Sequence, residues 1–143
     1  MKKSRLPILV ALCLLTSPVW AQRLKDANVP VAVRSSLAKK YPSATGVTWE
    51  KEKGNFEANW GGKSGEDNSV MFTPGGAFVE KVVAIPVSSL PSGVAAYVHA
   101  HYPASKITEA GKVTDAEGKT RYEAEVKGKD LLFDEKGNFI GKD

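Results

Sequence analysis

Apolar residues along the chain follow two different periods. The first is a spacing of about four residues, and it occurs twice, in Val29, Val33, Leu37 and Tyr41 and in Leu90, Val94, Val98 and Tyr102. Each run predicts an amphipathic helix of about three turns with one apolar stripe. Pro30 and Pro91 suit a first helical turn, and the Tyr-Pro pair that closes each run predicts the helix end.

After each helix the period changes to two. Phe56 and Ala58 alternate with polar neighbours, as do Tyr122 and Ala124, which predicts strands buried on one face. Glycine-containing turns separate these strands. The predicted strands cover 46–52, 55–61, 69–73 and 77–84 in the first half and 106–114, 120–127, 129–134 and 137–141 in the second.

The two halves also match each other residue by residue. A shift of 61 places equivalent residues together, as in Tyr41 and Tyr102, Phe72 and Phe133, and Gly76 and Gly137. Between these blocks the shift is 66, as in Phe56 and Tyr122, so one loop is five residues longer in each half. Packed elements that match while loops change length indicate a duplication. We therefore predict an α+β fold of two tandem units, 29–85 and 90–143, each with one helix packed on a four-stranded antiparallel sheet. The other face of each sheet stays open to water or to a partner.

The amino terminus has the three parts of a secretory signal peptide. A basic start, Met1 to Arg5, precedes the apolar run Leu6 to Leu15 and a small-residue exit ending at Ala21. This predicts cleavage after Ala21, a signal peptide at 1–21, a linker at 22–28, and a periplasmic or secreted protein. The apolar run is too short for a membrane span, and we expect none in the mature chain.

Composition removes several classes of function. The formal charge of +4 falls to +1 without Lys2, Lys3 and Arg5, so no basic surface for nucleic acid is expected. Cys13 is the one cysteine and lies in the predicted signal peptide. The mature chain therefore has no disulfide framework, thiol nucleophile or cysteine metal site.

Candidate catalytic and metal-binding groups are few. His99 and His101 lie two residues apart on a predicted helix, where a shared metal ion would need a spacing of four. No Gly-x-Ser-x-Gly nucleophile signature is present. Glu123 and Glu125 share one side of a strand and could serve as an acid–base pair, but they equally form the solvated face of a half-buried strand. We expect no catalysis, no metal site and no cofactor.

Two sequence stretches in each unit carry a resemblance to a known family. Trp49 to Ala58 and Phe72 to Phe78 in the first unit, with Tyr122-Glu123-Ala124 and Phe133 to Phe139 in the second, are similar to PepSY-like, β-lactamase-inhibitor-like periplasmic proteins. The resemblance covers about Val29 to Ile140. It implies a tandem helix-plus-four-strand fold like that of β-lactamase inhibitor protein, an exported location and no known catalytic residues.

The phase of each strand also gives candidate contact residues. Met71 and Leu132 are opposite in phase to Phe72 and Phe133, so these two apolar side chains should emerge on the open face. The predicted binding residues are Glu57, Asn59, Met71, Glu123, Glu125 and Leu132. Trp60 shares phase with Phe56 and is predicted in the core, whereas Trp49 suits either the core or an interface.

The leading hypothesis is an exported, non-catalytic module that binds a protein or peptide through its open sheet faces, with inhibition of an exported enzyme as one form of that binding. The alternative is an envelope structural or stress-related protein that binds a small molecule, metal or lipid between the two units. An apolar pocket between the two cores would favour this alternative. An enzyme would instead need a pocket of titratable groups that includes His99 or His101.

Overall fold

The computed structural model describes residues 22–142, so the predicted signal peptide at 1–21 lies outside the described residues. The helices are α1 (Val31–Lys40) and α2 (Ser92–His101). The strands are β1 (Gln22–Leu24), β2 (Thr48–Glu52), β3 (Asn55–Trp60), β4 (Asn68–Phe72), β5 (Phe78–Ala84), β6 (Ile107–Asp115), β7 (Thr120–Val126), β8 (Lys129–Asp134) and β9 (Phe139–Lys142). In this part of the chain, neither helix has the length and apolar character that crossing a membrane requires.

Both helices occupy the positions that the sequence predicts. Each begins directly after a proline, Pro30 or Pro91, with a φ of −54°. Each ends at a tyrosine, Tyr41 or Tyr102, whose N–H donates to the carbonyl four residues back. A proline follows each tyrosine, and it disfavours the helical backbone conformation at the tyrosine itself. The apolar stripe faces the sheet in both cases.

The nine strands within residues 22–142 form one antiparallel sheet in which each strand pairs with the next along the chain. The expectation of two four-stranded sheets is therefore not confirmed. β5 pairs with β6, from Glu80 opposite Asp115 to Ala84 opposite Gly111, so both halves share one sheet. The reason is the cost of an open edge: this pairing satisfies backbone N–H and C=O groups that two separate sheets would leave exposed.

The strand positions agree closely with the sequence pattern, apart from one addition. The eight predicted strands correspond to β2–β9, with ends displaced by at most two residues. Residues 22–28, assigned to a linker, contain β1 and the 3-10 turn Asp26–Asn28. β1 pairs with β2, and Arg23 lies opposite Glu50. Three residues are too few to show a period of two, so sequence pattern does not reveal this strand.

Two hydrophobic clusters fill the space between the helices and the sheet. The buried residues of the first are Val29, Val33, Leu37, Trp49, Phe56, Ala58, Val70 and Phe72. Those of the second are Val94, Val98, Ala124, Val126, Leu131 and Phe133. Trp49 lies inside the first cluster, whereas Trp60 is only partly buried and packs at its margin, 5.4 Å from the ring of Tyr41. The tryptophan assigned to the core by phase is thus the more exposed of the two.

Gly76 and Gly137 allow a turn of each half to approach its helix closely. Both have positive φ, at +84° and +86°. A Cβ on Gly76 would lie 2.7 Å from the carbonyl oxygen of Ala32 in α1, and one on Gly137 would lie 2.9 Å from Cβ of Pro91. The Ser36 hydroxyl donates to the Gly76 carbonyl at 2.7 Å. Only glycine fits both the left-handed conformation and the short helix-to-turn distance.

We predict that Gly76→Ala destabilises the protein more than Gly54→Ala. Gly54 also has a positive φ, +87°, but a Cβ there would meet no atom within 4 Å. Gly54→Ala should therefore cost only the left-handed backbone term, about 1–2 kcal/mol. Gly76→Ala should add an overpacking cost of roughly 1–3 kcal/mol. Urea denaturation of both variants measures the difference, and equal losses would contradict the close approach.

Candidate functional site

The strand register assigns each strand residue to one of two faces, because residues paired across strands point to the same side. One face carries the two core clusters and is covered by the helices. The opposite face is called the open face. All the predicted binding residues lie on it: Glu57, Asn59, Met71, Glu123, Glu125 and Leu132.

These residues form two groups rather than one site. Glu57 lies opposite Met71 in one half, and Glu123 lies opposite Leu132 in the other. β4 and β7 are three strand spacings apart, or roughly 14 Å, so the two groups can be contacted together only by a broad ligand. Asn59 is 7% exposed and offers little contact surface.

Charge is segregated between the two faces of the sheet. In the nine described strands, every charged residue on the helix-covered face is a lysine: Lys51, Lys81, Lys112, Lys129 and Lys142. The open face carries the strand carboxylates: Glu50, Glu52, Glu57, Glu80, Glu109, Asp115, Glu123, Glu125, Asp130 and Asp134. Arg23 and Arg121 are the two basic exceptions there. The open face is therefore strongly acidic although the chain as a whole is basic.

Sequence reasoning missed this segregation. Its local signal is the alternation of acid and lysine within one strand, as in Glu50-Lys51-Glu52 and Glu80-Lys81. Such alternation shows only that the two charges lie on opposite faces of their own strand. Joining all the strands into one face requires the register of the full sheet.

An acidic cleft lies on the open face near the junction of the two halves. Its volume is about 110 Å³. The lining residues are Glu66, Val82, Ala84, Glu109, Ala110, Gly111, Glu123, Glu125 and Asp130. Small and apolar residues make up part of the lining, and all the other lining residues are carboxylates. The Thr108 hydroxyl donates to Oε1 of Glu125 at 2.6 Å, which fixes one of these carboxylates.

Four pairs of carboxylates face each other directly across the described strands, and two of these are Glu80 with Asp115 and Glu125 with Asp130. Glu109 lies opposite Glu125 between β6 and β7, and Glu50 lies opposite Glu57 between β2 and β3. Like charges in this arrangement destabilise a sheet. The open face thus carries an electrostatic cost that neutral side chains would remove.

The two arginines of the open face are held by carboxylates. Nη2 of Arg121 lies 2.7 Å from Oε2 of Glu80, and Nε of Arg23 lies 3.6 Å from Oε1 of Glu50. The Arg121–Glu80 pair joins β7 to β5 across β6, on the same face as Val113, which is 1% exposed. The two arginines thus contact carboxylates outside the lining of the cleft.

Glu57 is a carboxylate whose pKa is shifted by its surroundings in the fold. Burial raises its pKa above the ordinary value of 4.5. A hydrogen bond from Ser69 acts in the opposite direction, and the nearby charges of Glu52 and Glu50 raise the pKa further. The charged form of Glu57 is therefore disfavoured in the folded protein.

The histidines do not assemble a reactive site. His99 and His101 are exposed on α2, and the ring of His101 lies 4.2 Å from that of Tyr97. Across residues 22–142, no group of three or more His, Cys, Asp or Glu side chains is arranged to hold a metal ion. The carboxylates of the open face are therefore the main candidate for a functional site.

Comparison with known proteins identifies the family. The family model described as β-lactamase-inhibitor-like and PepSY-like matches residues 62–141, more than half of the chain. The chain belongs to this family. The resemblance inferred from the sequence is thereby confirmed, and the stretch Phe72 to Phe78 that carried it lies within the matched residues. A comparison with curated protein sequences gave no match.

Crystal structures of three Bacteroides proteins resemble this PepSY-like protein. A protein from Bacteroides eggerthii, named as periplasmic, is 24% identical with a TM-score of 0.66, over 80% of this chain and 88% of that one. A DUF2874 family protein from Bacteroides uniformis is 22% identical with a TM-score of 0.65 over the same shares. A BLIP-like protein from Bacteroides fragilis is 24% identical with a TM-score of 0.57, over 78% and 83%. Identity at this level shows a common fold.

We predict that Glu57→Gln stabilises the PepSY-like protein at neutral pH. A raised pKa in the folded state means that the folded form binds more protons than the unfolded form, so stability falls as pH rises above 4.5. Relief of the Glu50 pair alone should add roughly 0.2–1 kcal/mol at pH 7. The gain should shrink as the pH falls below 4.5.

Urea denaturation between pH 3.5 and 7.5 measures this effect. The matched control is Glu117→Gln, which removes the same charge from an exposed turn. A gain for Glu57→Gln that does not change with pH would contradict the burial of its charge.

We also predict that Gly111→Ala destabilises the protein. A Cβ on Gly111 would lie 2.8 Å from Cγ1 of Val82, whose branched side chain has few rotamers. The expected loss is about 1–3 kcal/mol. At Gly75 the nearest atom to a new Cβ is 3.9 Å away, so Gly75→Ala should change stability by no more than about 0.5 kcal/mol. Thermal denaturation of both variants tests the tight packing beside the cleft.

Proposed function

We propose that this protein is an exported, non-catalytic module that binds a protein or peptide through the open face of its sheet. The observation that carries the proposal is the segregation of carboxylates onto the face that the helices leave uncovered. A sheet that needed only solubility could carry mixed charges there. A face of one sign is suited to recognising a partner of the opposite sign.

The shape of the open face supports a broad partner. Nine strands spaced about 4.8 Å apart give a surface roughly 40 Å wide. Met71 and Leu132 place apolar side chains beside Glu57 and Glu123, so apolar contact and charge lie next to each other. Protein interfaces combine such apolar positions with a polar surround.

Export and inhibition belong to the same proposal. Export rests on the signal-peptide pattern of residues 1–21 and agrees with the periplasmic name of the Bacteroides eggerthii relative. Inhibition of an exported enzyme is one form that binding could take, as the name of the family suggests.

We further infer that 29–85 and 90–143 are two copies of one module. Each half has one ten-residue helix, its own hydrophobic cluster and a glycine turn against that helix. The two helices are 61 residues apart, as are the first residues of β4 and β8 and of β5 and β9, whereas Phe56 of β3 and Tyr122 of β7 are 66 apart. Two copies side by side would double the area of one binding face.

The alternative, binding of a small molecule, metal or lipid between the units, has less support. The cleft near their junction is lined largely by carboxylates, whereas a lipid would need an apolar lining. A metal ion would need grouped ligands, and the described residues contain no such group of three. The distribution of charge therefore favours a macromolecular partner.

Site-specific photocrosslinking in cells that export the protein tests this proposal. A photoreactive residue is placed at Met71 or Leu132 on the open face, or at Ala38 or Ala96 as controls on exposed helix positions. We expect a discrete protein adduct from the open-face positions and none from the helices. Adducts from the helix positions alone, or from none of the four, would contradict binding through the open face.

A further inference from the structure

We propose that the partner docks a segment rich in lysine or arginine against the acidic cleft of the open face. This inference rests on the proposed function and names the chemistry of its partner. The cleft lies between β5 and β7, and the carboxylates of Glu109 and Glu125 stand on its walls. All the charged residues that line this cleft are acidic.

The charge of the open face is complementary to a cationic partner. The predicted mature chain has a formal charge of +1, so a general attraction to polycations is not expected from its net charge. The attraction must come from the open face, where carboxylates of adjacent strands stand together. The helix-covered face carries lysines and would repel the same partner. A cationic segment would therefore bind the open face and not the helix-covered face.

The opposed carboxylates of the cleft also favour a cationic partner. Glu109 and Glu125 are direct cross-strand neighbours, and this pairing costs stability in the free protein. Local choices that disfavour the fold are expected mainly at functional sites. A lysine or arginine placed between the two carboxylates would turn their repulsion into attraction. The cost present in the free protein would thus be relieved in the complex.

The lining of the cleft combines small and apolar residues with carboxylates, which suits a lysine or arginine side chain. Gly111 lies in the interior of a central strand, and the side chain of Val82 packs directly against it. Ala84 and Val82 add small or apolar surface beside it. Lysine and arginine combine an apolar stem with a charged end group. The stem can lie along Val82 and Ala84 while the end group reaches the carboxylates.

Decalysine is the probe for this proposal, with decaglutamate as the opposite-charge control. Binding to the mature protein, residues 22–143, is measured by fluorescence anisotropy at 20, 100 and 300 mM NaCl. We expect decalysine to bind, to weaken as salt screens the charges, and decaglutamate not to bind. The double variant Glu109→Gln/Glu125→Gln should bind decalysine roughly fivefold more weakly, as the loss of two partly exposed ion pairs predicts.

A stability measurement separates a binding role from a structural one. The same double variant should melt roughly 1–4 °C higher than the wild type, because the opposed charges are gone. The matched control is Glu117→Gln/Glu135→Gln, which removes two carboxylates from exposed turns. It should change neither the melting temperature nor the affinity appreciably. Equal losses of affinity in both double variants would overturn the proposal.

The same measurements would reveal two other ligands of the cleft, a divalent cation or a second copy of this protein. If Ca²⁺ at micromolar concentration displaces decalysine, and the cleft variant alone abolishes this effect, the site binds a divalent cation. If the protein does not bind decalysine but sedimentation shows salt-sensitive self-association that the cleft variant removes, the occupant is the lysine-bearing side of a second copy. Either outcome overturns the proposed partner.

Crosslinking from Leu132 in the Glu109→Gln/Glu125→Gln background separates this inference from the proposed function. Loss of the partner adduct in the variant, but not in the Glu117→Gln/Glu135→Gln control, supports a cationic partner at the cleft. An undiminished adduct refutes the cationic contact but leaves the open face as the binding surface. The absence of any adduct in the wild type refutes the proposed function itself.

Discussion

The pairing of β5 with β6 is the interaction on which the rest of the structure depends. It joins the two halves through backbone hydrogen bonds and sets the register between them, from Glu80 opposite Asp115 to Ala84 opposite Gly111. Side chains alternate strictly along a strand, so a slip of one residue would exchange the faces of one half relative to the other. The lysines and carboxylates of the two halves would then be mixed. One continuous open face exists because this register is kept.

The same pairing explains how a small protein without cysteine in its described part can hold a broad sheet. Each half packs its own cluster beneath one helix, and the clusters remain distinct. The central strands are stabilised mainly by their ladder and by contacts such as the Arg121–Glu80 ion pair across β6. Partly exposed ion pairs contribute little individually, about 0.2–1 kcal/mol. The backbone ladder is therefore the main connection between the two halves.

The open face carries like charges that lower the stability of the fold. Opposed carboxylates at Glu109 and Glu125, and at Glu50 and Glu57, oppose folding, and burial makes the charged form of Glu57 less favourable still. On the helix-covered face no two lysines of the described strands lie directly opposite each other, because each is paired with a neutral residue, as Lys81 is with Val70 and Lys112 with Val83. This contrast is why we look for a partner at the acidic face.

Sequence alone determined the local structure of this protein. The helix ends at Tyr41 and Tyr102, the alternation around Phe56 and Ala58, and the resemblance to the PepSY-like family all depend on neighbours within a few residues. The phase of Met71 and Leu132 likewise placed them on the open face. Tertiary structure decided what depends on distant residues. The single sheet, the burial of Asn59 and Trp49, the addition of β1 and the cleft beside Gly111 each require strand pairings that local periodicity does not contain. The separation of charge between the faces belongs to this second group, because a strand shows only its own alternation until the register of its neighbours is known.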